Sequence, residues 1–330
     1  MMNRRSFLAT AAGGALAAAL GTESARAVTG DNAATMARVA LVKDGDRATA
    51  VRTALELLDV NPVRGRRVLL KPNFNTADPF PASTHNDTLA ALVAHLRRLD
   101  AAAITIGERS GPPDTGGVMD DKGIPALARR LDVDVVNFEA LPEHDWVRVK
   151  PAGCHWRDGF DVARPVLEAE SVVSTCCLKT HGYGGVFTLS LKLSVGVTHK
   201  RNMREMHSSP HMRRMIAEIN QAYTPHLILL DGTEAFTDGG PSRGTRKHPG
   251  VILAGTDRVA VDAVGLAVLK AVGSNRAIMD TPIFAQEQIA RAVELGLGVP
   301  LPERIELVTA DPASRAYAAR LTDILHTQGV

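Results

Sequence analysis

The chain has 330 residues, with 38 lysines and arginines against 36 aspartates and glutamates, and a net charge of +2 at pH 7. A body this close to neutrality has no overall field to attract nucleic acid, which excludes that class of partner. The three cysteines, Cys154, Cys176 and Cys177, are too few and too scattered to ligate an iron–sulfur cluster. One of the adjacent pair could join Cys154 in an oxidising compartment, although an odd number of cysteines argues against a disulfide scaffold.

The N-terminus has the pattern of an export signal. The segment Asn3-Arg4-Arg5-Ser6-Phe7-Leu8 precedes an uncharged, alanine-rich run, and Ala25-Arg26-Ala27 supplies small residues for cleavage. The paired arginines are typical of the twin-arginine route, whose translocase would be a partner during export. The apolar run, Ala9 to Gly21, is shorter than the roughly 20 residues that cross a bilayer, so we expect cleavage after Ala27 and no stable membrane anchor. The sequence therefore predicts a periplasmic or otherwise exported protein.

After residues 1–27, short β-branched runs alternate with helical stretches. This alternation predicts a single α/β domain over residues 28–330, with a mostly parallel sheet and helices on both faces in a Rossmann-like layered architecture. The 139–170 stretch is the most irregular and is predicted to be an excursion. The expected strands are Arg38–Val42, Arg67–Lys71, Ala103–Gly107, Val133–Phe138, Ser171–Leu178, His226–Asp231, Gly250–Ala254 and Arg304–Val308, and the expected helices are Ala48–Leu58, Asp87–Leu99, Ile124–Leu131, Arg258–Val272 and Ile283–Leu295.

Polar residues that follow buried strands are the candidate site, because ligands of open α/β sheets bind beyond the carboxyl ends of the strands. Lys71 and Asn73 follow the first such strand, and Pro72 between them fixes the angle at which they are presented. Thr84 lies where the next helix begins. The free backbone N–H groups at the start of that helix attract anions. We assign Lys71, Asn73 and Thr84 to binding of a substrate or anion.

Glu108 lies between two glycines in Gly107-Glu108-Arg109-Ser110-Gly111, after the Ala103–Ile106 strand. A carboxylate in a tight loop can hold a cation, act as a base or contact a substrate. The alternative is an ordinary ion pair with Arg109 or another neighbour. Glu108 is included among the substrate-binding candidates.

The strongest pattern is Lys179-Thr180-His181-Gly182-Tyr183-Gly184-Gly185, followed by Lys192. Lys179 and His181 share one face of a strand because residues two apart do so. The glycines Gly184 and Gly185 let the backbone approach a bound group, and Lys192 is expected on the helix that follows. Two lysines with a histidine suit a phosphate, a carboxylate or a covalent carbonyl adduct. We assign Lys179, His181 and Lys192 to catalysis.

Metal-binding signals are weaker. Asp231 ends an apolar strand and Asp238 lies in a Gly-Gly-Pro turn, so both are candidate ligands of a divalent cation. His207 and His211 have helical spacing, but Pro210 stands between them and no His-Glu-x-x-His pattern is completed. The segment that holds these histidines and His199 is expected to be surface, or a lid over the site.

Taken in order, these residues resemble the domain of unknown function 362 family. The resemblance rests on the combination Lys71-Pro72-Asn73, Lys179-Thr180-His181, Leu191-Lys192, Asp231-Gly232 with Gly239-Gly240-Pro241, and the Asp257-to-Asp262 turn, and it covers nearly all of residues 38–300. Many members accompany ferredoxin-type iron–sulfur modules, whose cysteines this chain lacks. Where the family commonly has Lys-Asn, this chain has Lys192-Leu193, so a role for an asparagine there is not implied. A more distant likeness is to the nickel-pincer lactate racemase family, in which histidine and lysine hold a nucleotide-derived metal cofactor.

Two functions are compatible with these patterns. The first is an exported enzyme that acts on a small anionic substrate, with a divalent metal or a metal-containing organic cofactor as the expected helper. The second is a non-catalytic periplasmic protein that binds a cofactor or matures it for a partner. The combination of carboxylates, lysines and a histidine favours the enzyme.

Overall fold

The computed structural model describes residues 36–43 and 46–329, so the predicted signal peptide of residues 1–27 lies outside the described residues. Among the described helices, none combines the length and the apolar character needed to cross a bilayer. The strands are β1 Ala37–Val42, β2 Arg67–Lys71, β3 Ala103–Glu108, β4 Asp134–Asn137, β5 Trp146–Val149, β6 Phe160–Ala163, β7 Ser171–His181, β8 Val186–Thr188, β9 Leu227–Gly239, β10 Gly244–Lys247, β11 Val251–Gly255 and β12 Ile305–Val308. The α-helices are α1 Arg47–Leu58, α2 Asn86–Arg98, α3 Thr115–Asp121, α4 Ile124–Leu131, α5 Arg164–Leu167, α6 Ser190–Leu193, α7 Met203–Ser208, α8 Met212–Ile219, α9 Arg258–Val272, α10 Arg276–Met279, α11 Glu287–Glu294 and α12 Pro312–Gln328.

Within the described residues, ten strands form one mixed, mostly parallel sheet, whose central path runs β12-β1-β11-β9-β7-β2-β3-β4. The strands from β9 to β4 are mutually parallel, whereas β11 is antiparallel to both β1 and β9. The short strands β8 and β10 pair with β7 and β9. The predicted α/β fold class is confirmed.

Helices cover both faces of the sheet because its strands are apolar on both sides. On one face, Val68 and Leu70 pack with α1 and α2; on the other, Cys176 and Leu178 pack with α9. A continuous apolar strand can be stable only when both of its faces are buried, as these are.

The 139–170 stretch has a structure of its own. The strands β5 and β6 pair as a two-stranded antiparallel sheet, and Trp156 and Phe160 pack with α8 in a third apolar cluster. Leu69 belongs to this cluster, whereas its neighbours Val68 and Leu70 face the opposite side of the sheet. The stretch therefore covers the part of the sheet that α9 does not reach.

One predicted helix is shorter than expected. The Ile283–Leu295 helix begins only at Glu287. The backbone N–H groups of Ile283 and Phe284, before it, donate to the carbonyls of Gln328 and Gly329 at the end of α12. These hydrogen bonds join segments that are distant in sequence, and local periodicity does not reveal such contacts.

Candidate functional site

The strands β3, β2 and β7 are parallel neighbours, and β7 continues beyond the ends of the other two; the charged residues of the candidate site lie at these strand ends. Lys71 is the last residue of β2 and Glu108 is the last residue of β3. Lys179 and His181 lie at the end of β7. They line a cavity of about 50 Å³, here called the inner cavity. The residues around it are Lys71, Asn73, Asn75, Glu108, Arg109, Gly111, Lys179, His181, Thr188, Lys192, Leu193, Val195, Gly196 and Pro241.

Lys71 and Glu108 form a buried ion pair in the wall of this cavity. The Lys71 Nζ lies 2.5 Å from Glu108 Oε1, and each side chain is at most 2% exposed. The Glu108 carboxylate also accepts hydrogen bonds from the backbone N–H groups of Phe74 and Arg109. Burial raises the pKa of Glu108 and lowers that of Lys71, and their mutual attraction opposes both shifts. Three donors on one carboxylate favour the charged pair.

Lys179 is fully buried and is held by two loops. Its Nζ donates to the carbonyl oxygens of Ala82 and, at 3.2 Å, of Pro241. An ammonium has three N–H groups, so one remains for a ligand. Burial lowers the pKa of Lys179. The loop that supplies Ala82 and the turn that supplies Pro241 thus fix where this positive charge lies.

Lys192 reaches the same cavity from a separate element. After β7, the chain turns back through β8 and enters α6, the short helix that carries Lys192. The carboxylate of Asp262, from α9, accepts hydrogen bonds from the N–H groups of Ser190 and Leu191 at 2.7 and 2.9 Å. Asp262 therefore caps α6 from outside the helix and fixes the direction in which Lys192 projects.

The Lys192 ammonium has no hydrogen-bond or ion-pair partner among the described residues, although its side chain is only 8% exposed. Burial and the nearby charges of Lys179 and Arg109 lower its pKa to about 7. A lysine in this state is partly neutral near pH 7, and its amine is then a base and a nucleophile.

His181 is held as a neutral hydrogen-bond donor. Its Nδ1 accepts the backbone N–H of Gly185 at 3.3 Å, which leaves the proton of the neutral ring on Nε2. Burial, with the charges of Lys192, Lys179 and His207, lowers the pKa of His181 to about 2. The ring therefore stays uncharged at neutral pH and can polarise a ligand oxygen by hydrogen bonding.

Two glycines make the arrangement possible. A Cβ on Gly185 would lie 2.9 Å from both His181 Nδ1 and Lys192 Cε. A Cβ on Gly196 would lie 2.6 Å from Glu108 Oε1 and 2.7 Å from Lys71 Nζ. Real Cβ contacts are not this short, so any other residue at either position would displace the charged groups.

Sequence reasoning missed the role of Arg109. Its guanidinium donates to the carbonyl oxygens of Thr198, at 2.7 Å, Ser110 and Val195. It thereby ties the loop after α6 to the end of β3 and adds a positive charge to the cavity wall. The Gly-Glu-Arg-Ser-Gly sequence placed this arginine beside Glu108, but the carbonyl groups of Val195 and Thr198 that it binds are nearly 90 residues away.

Thr188 was missed as well. Thr188 lines the inner cavity and its side chain is only 6% exposed, and its buried hydroxyl has no hydrogen-bond partner among the described residues. A buried hydroxyl without a partner costs free energy, so a bound molecule is the natural partner. The β7–β8 pairing sets Thr188 opposite Lys179. Only the register of β7 and β8 indicates that Thr188 lies beside Lys179, and the sequence alone does not give this register.

Beside the inner cavity lies a wider cleft of about 760 Å³, here called the outer cleft. His181, Lys192 and Arg109 line both spaces, so the two spaces are adjacent. The outer cleft is more apolar, with Pro112, Pro113, Tyr183, Val195 and Met203 in its walls and Lys200, Arg204 and His207 along its side. A ligand with a charged end and a larger body matches this pair of spaces.

Two predicted contacts lie outside both spaces. Thr84 is buried behind the site, where its Oγ1 accepts the backbone N–H of Asn73 at 2.8 Å. Gly184 is exposed and its carbonyl accepts a hydrogen bond from Arg213. Thr84 therefore supports Asn73, and Gly184 shapes the turn before Gly185.

The candidate metal ligands are separated from each other. The Asp231 carboxylate is fully buried and bonds to Arg47 Nε at 2.9 Å, to Thr88 Oγ1 at 2.6 Å and to Thr233 Oγ1 at 2.8 Å; these four residues are here called the Asp231 cluster. Asp238, seven positions along β9, is exposed and accepts from Asn275. Extended residues advance roughly 3.3 Å each, so the two carboxylates cannot share an ion.

The donor set of the inner cavity also does not fit a metal ion held by protein side chains alone. Ammonium and guanidinium groups surround it, and these repel cations and offer no lone pair while protonated. Over the described residues, no three His, Cys, Asp or Glu side chains converge on one point. The roles proposed for the cavity residues do not depend on a metal, and a metal-containing organic cofactor stays a prediction.

The histidine-rich segment contributes one residue to the cleft. His207 lines the outer cleft, whereas His211 packs against His155 and His199 against Trp146, away from it. Cys154, Cys176 and Cys177 are free thiols in the structure.

Comparison with known proteins identifies the family. The profile of the family described as "Domain of unknown function (DUF362)" matches residues 68–267, which run from β2 into α9 and include the inner cavity. The chain belongs to this family. No curated protein matches the DUF362 chain.

Two solved structures are similar in fold. The lactate racemase apoprotein from Thermoanaerobacterium thermosaccharolyticum has 13% identity and a TM-score of 0.46, over 88% of this chain and 87% of that one. A Thermotoga maritima protein from a structural genomics consortium has 13% identity and a TM-score of 0.42; the match covers 68% of this chain and 56% of that one. At this identity each likeness concerns the fold alone.

Proposed function

We propose that this DUF362 protein is an enzyme that acts on a small anionic substrate, whose charged group enters the inner cavity. The observation that carries the proposal is a surplus of buried positive charge. Lys71, Lys179, Lys192 and Arg109 face one cavity with Glu108 as its only carboxylate among the described residues. Buried like charges are costly unless they are compensated, and a bound carboxylate or phosphate would compensate them.

The residues have distinct roles in this proposal. Lys179 and Lys71 hold the anion, since the structure fixes both ammonium groups through carbonyl or carboxylate partners. Lys192 is the group that changes protonation, because its amine is unpartnered and its pKa is about 7. His181 and Thr188 supply neutral hydrogen bonds to oxygen atoms of the substrate. Simple retention of an anion would need no amine poised between its charged and neutral forms.

Calorimetric titration of the purified protein with phosphate, acetate and lactate at pH 6 tests the binding step. We expect at least one of these anions to bind with one-to-one stoichiometry, and Lys192→Met to lower its affinity about tenfold, as loss of one buried charge implies. Lys270→Met is the matched control, because Lys270 is also buried but donates to Met279 on α10, outside the site. Equal affinities in the wild type and Lys192→Met would contradict the proposal.

Turnover separates an enzyme from a binding protein. A panel of small hydroxy acids, oxo acids and phosphoesters should include a substrate whose turnover rises with pH through about 7 as Lys192 loses its proton. Tight binding with no turnover across the panel would favour the non-catalytic protein instead.

We further propose that the protein works outside the cytoplasm after export by the twin-arginine route. The support is the Asn3-Arg4-Arg5-Ser6 sequence and the uncharged run that follows it. Replacing both arginines with lysine should keep the protein in the cytoplasm at its full length, whereas the unchanged chain should appear shortened in the periplasm. Equal periplasmic amounts of the two forms would contradict export by this route.

A further inference from the structure

The junction between the inner cavity and the outer cleft limits where chemistry can occur. The inner cavity, at about 50 Å³, holds a single carboxylate-sized group. Lys192 and His181 line this cavity and also the cleft beyond it. A molecule whose carboxylate lies in the inner cavity and whose body lies in the outer cleft would therefore pass beside both side chains.

Lys192 has the properties of a nucleophile at this junction. Its amine has no protein partner among the described residues, and Asp262 fixes the helix that presents it. Lysines placed in an apolar pocket or beside another cation are the ones that form Schiff bases, because a depressed pKa leaves the amine unprotonated. The groups that face Lys192 from neighbouring elements are Lys179, Arg109, His181 and the Lys71–Glu108 pair.

We propose that Lys192 forms a Schiff base with a 2-oxo carboxylate, whose carboxylate occupies the inner cavity and whose body extends into the outer cleft. This inference rests on the proposed function and names its substrate class. A carbonyl next to the carboxylate fits best, because Lys192 and His181 line both the cavity that would hold the carboxylate and the adjacent cleft. The apolar walls of the outer cleft suit an alkyl or aryl body.

The chemistry balances without a further reactant. The neutral Lys192 amine attacks the carbonyl carbon, and a carbinolamine forms while Nε2–H of His181 donates to the carbonyl oxygen. The two hydrogens of the amine pass to that oxygen, the C–O bond breaks and water leaves. A C=N bond then joins Lys192 to the substrate. The resulting imine can take a proton, and the substrate carboxylate lies beside that positive charge.

Reductive trapping tests the inference on the full-length protein. Pyruvate and a longer 2-oxo acid are added with cyanoborohydride, which reduces an imine to a stable secondary amine, and the modified lysine is found by peptide mass spectrometry. We expect one adduct per chain, at Lys192, with a rate that rises through about pH 7. Acetone, which lacks the carboxylate, should be trapped at least tenfold more slowly.

Two variants make the outcomes distinguishable. Lys192→Arg keeps the positive charge and removes the nucleophile, so it should still bind pyruvate by calorimetry and give no adduct, while Lys270→Met should be trapped like the wild type. Pyruvate that binds without an adduct at Lys192 would overturn the Schiff base and leave the proposed function standing. Failure of pyruvate, acetate, lactate and phosphate alike to bind would overturn both.

Discussion

The inner cavity and the Asp231 cluster are both buried, charged and located toward the same end of the sheet. They differ in whether their charges are compensated by partners within the protein. In the Asp231 cluster, one carboxylate meets one guanidinium and two hydroxyl groups at normal hydrogen-bond distances. In the inner cavity, four cationic side chains share one carboxylate, and Lys192 and Thr188 lack partners among the described residues.

This difference separates a structural ion pair from a binding site. The Asp231 cluster joins α1, α2 and β9, and its groups satisfy one another. Under the proposed function, a bound anion would compensate the surplus positive charge of the inner cavity. A charged residue at a strand end therefore indicates a binding site when its charge has no partner within the protein. Variants in the two regions test this contrast.

The largest effect should come from the balanced region. Asp231→Ala leaves Arg47 without its partner and removes the acceptor for Thr88, so we expect the free energy of unfolding to fall by about 3–5 kcal/mol. Urea denaturation followed by circular dichroism measures it. Anion affinity of the protein that remains folded should be unchanged, and a specific loss of binding would place Asp231 in the site.

Glu108→Gln tests the unbalanced region. Removing the only carboxylate of the described cavity increases its positive surplus, so phosphate should bind about tenfold more tightly, equivalent to about 1.4 kcal/mol. Lys71 loses its counter-charge, and the melting temperature should fall. Weaker phosphate binding in calorimetry would show that Glu108 contacts the ligand rather than balancing Lys71.

Lys192→Met should stabilise the protein without ligand by about 1 kcal/mol. Burial lowers the pKa of Lys192 to about 7, so the folded state binds its proton less readily than the unfolded state does. This penalty is full below pH 7 and declines as pH rises toward the ordinary lysine value, so wild-type stability gains with pH over that range. Melting temperatures should show a larger benefit of Lys192→Met at pH 6 than at pH 9. A destabilised variant at both pH values would mean that Lys192 has a structural role.

Asp262→Asn should have the smallest effect on stability, a loss of about 1 kcal/mol, because the single amide oxygen still accepts one of the two hydrogen bonds at the start of α6. The rate of trapping at Lys192 should fall several-fold, since the helix that presents the amine is less firmly held. Asp257→Asn is the control: Asp257 caps α9 and does not touch α6. Equal trapping rates in both variants would remove Asp262 from the positioning of Lys192.

Much of the architecture could be predicted from the sequence, because buried parallel strands are continuous apolar runs and their polar ends are easily seen. Lys71, Glu108 and Lys179 were found in this way. Thr188 and Arg109 were not, because their importance depends on strand register and on carbonyl groups far along the chain. Asp231 was read as a metal ligand because its partners, Arg47 and Thr88, lie more than 140 positions away.

The two walls of the outer cleft differ in how freely they can change. Arg109 locks the loop around Val195 and Thr198 to the end of β3, so mutations there disturb the charged groups as well. A second part of the wall includes Arg204 and His207 on α7, and both are exposed. Under the proposed function, relatives could therefore diverge in the length and chemistry of their substrates through changes in α7, while the amine of Lys192 keeps its place.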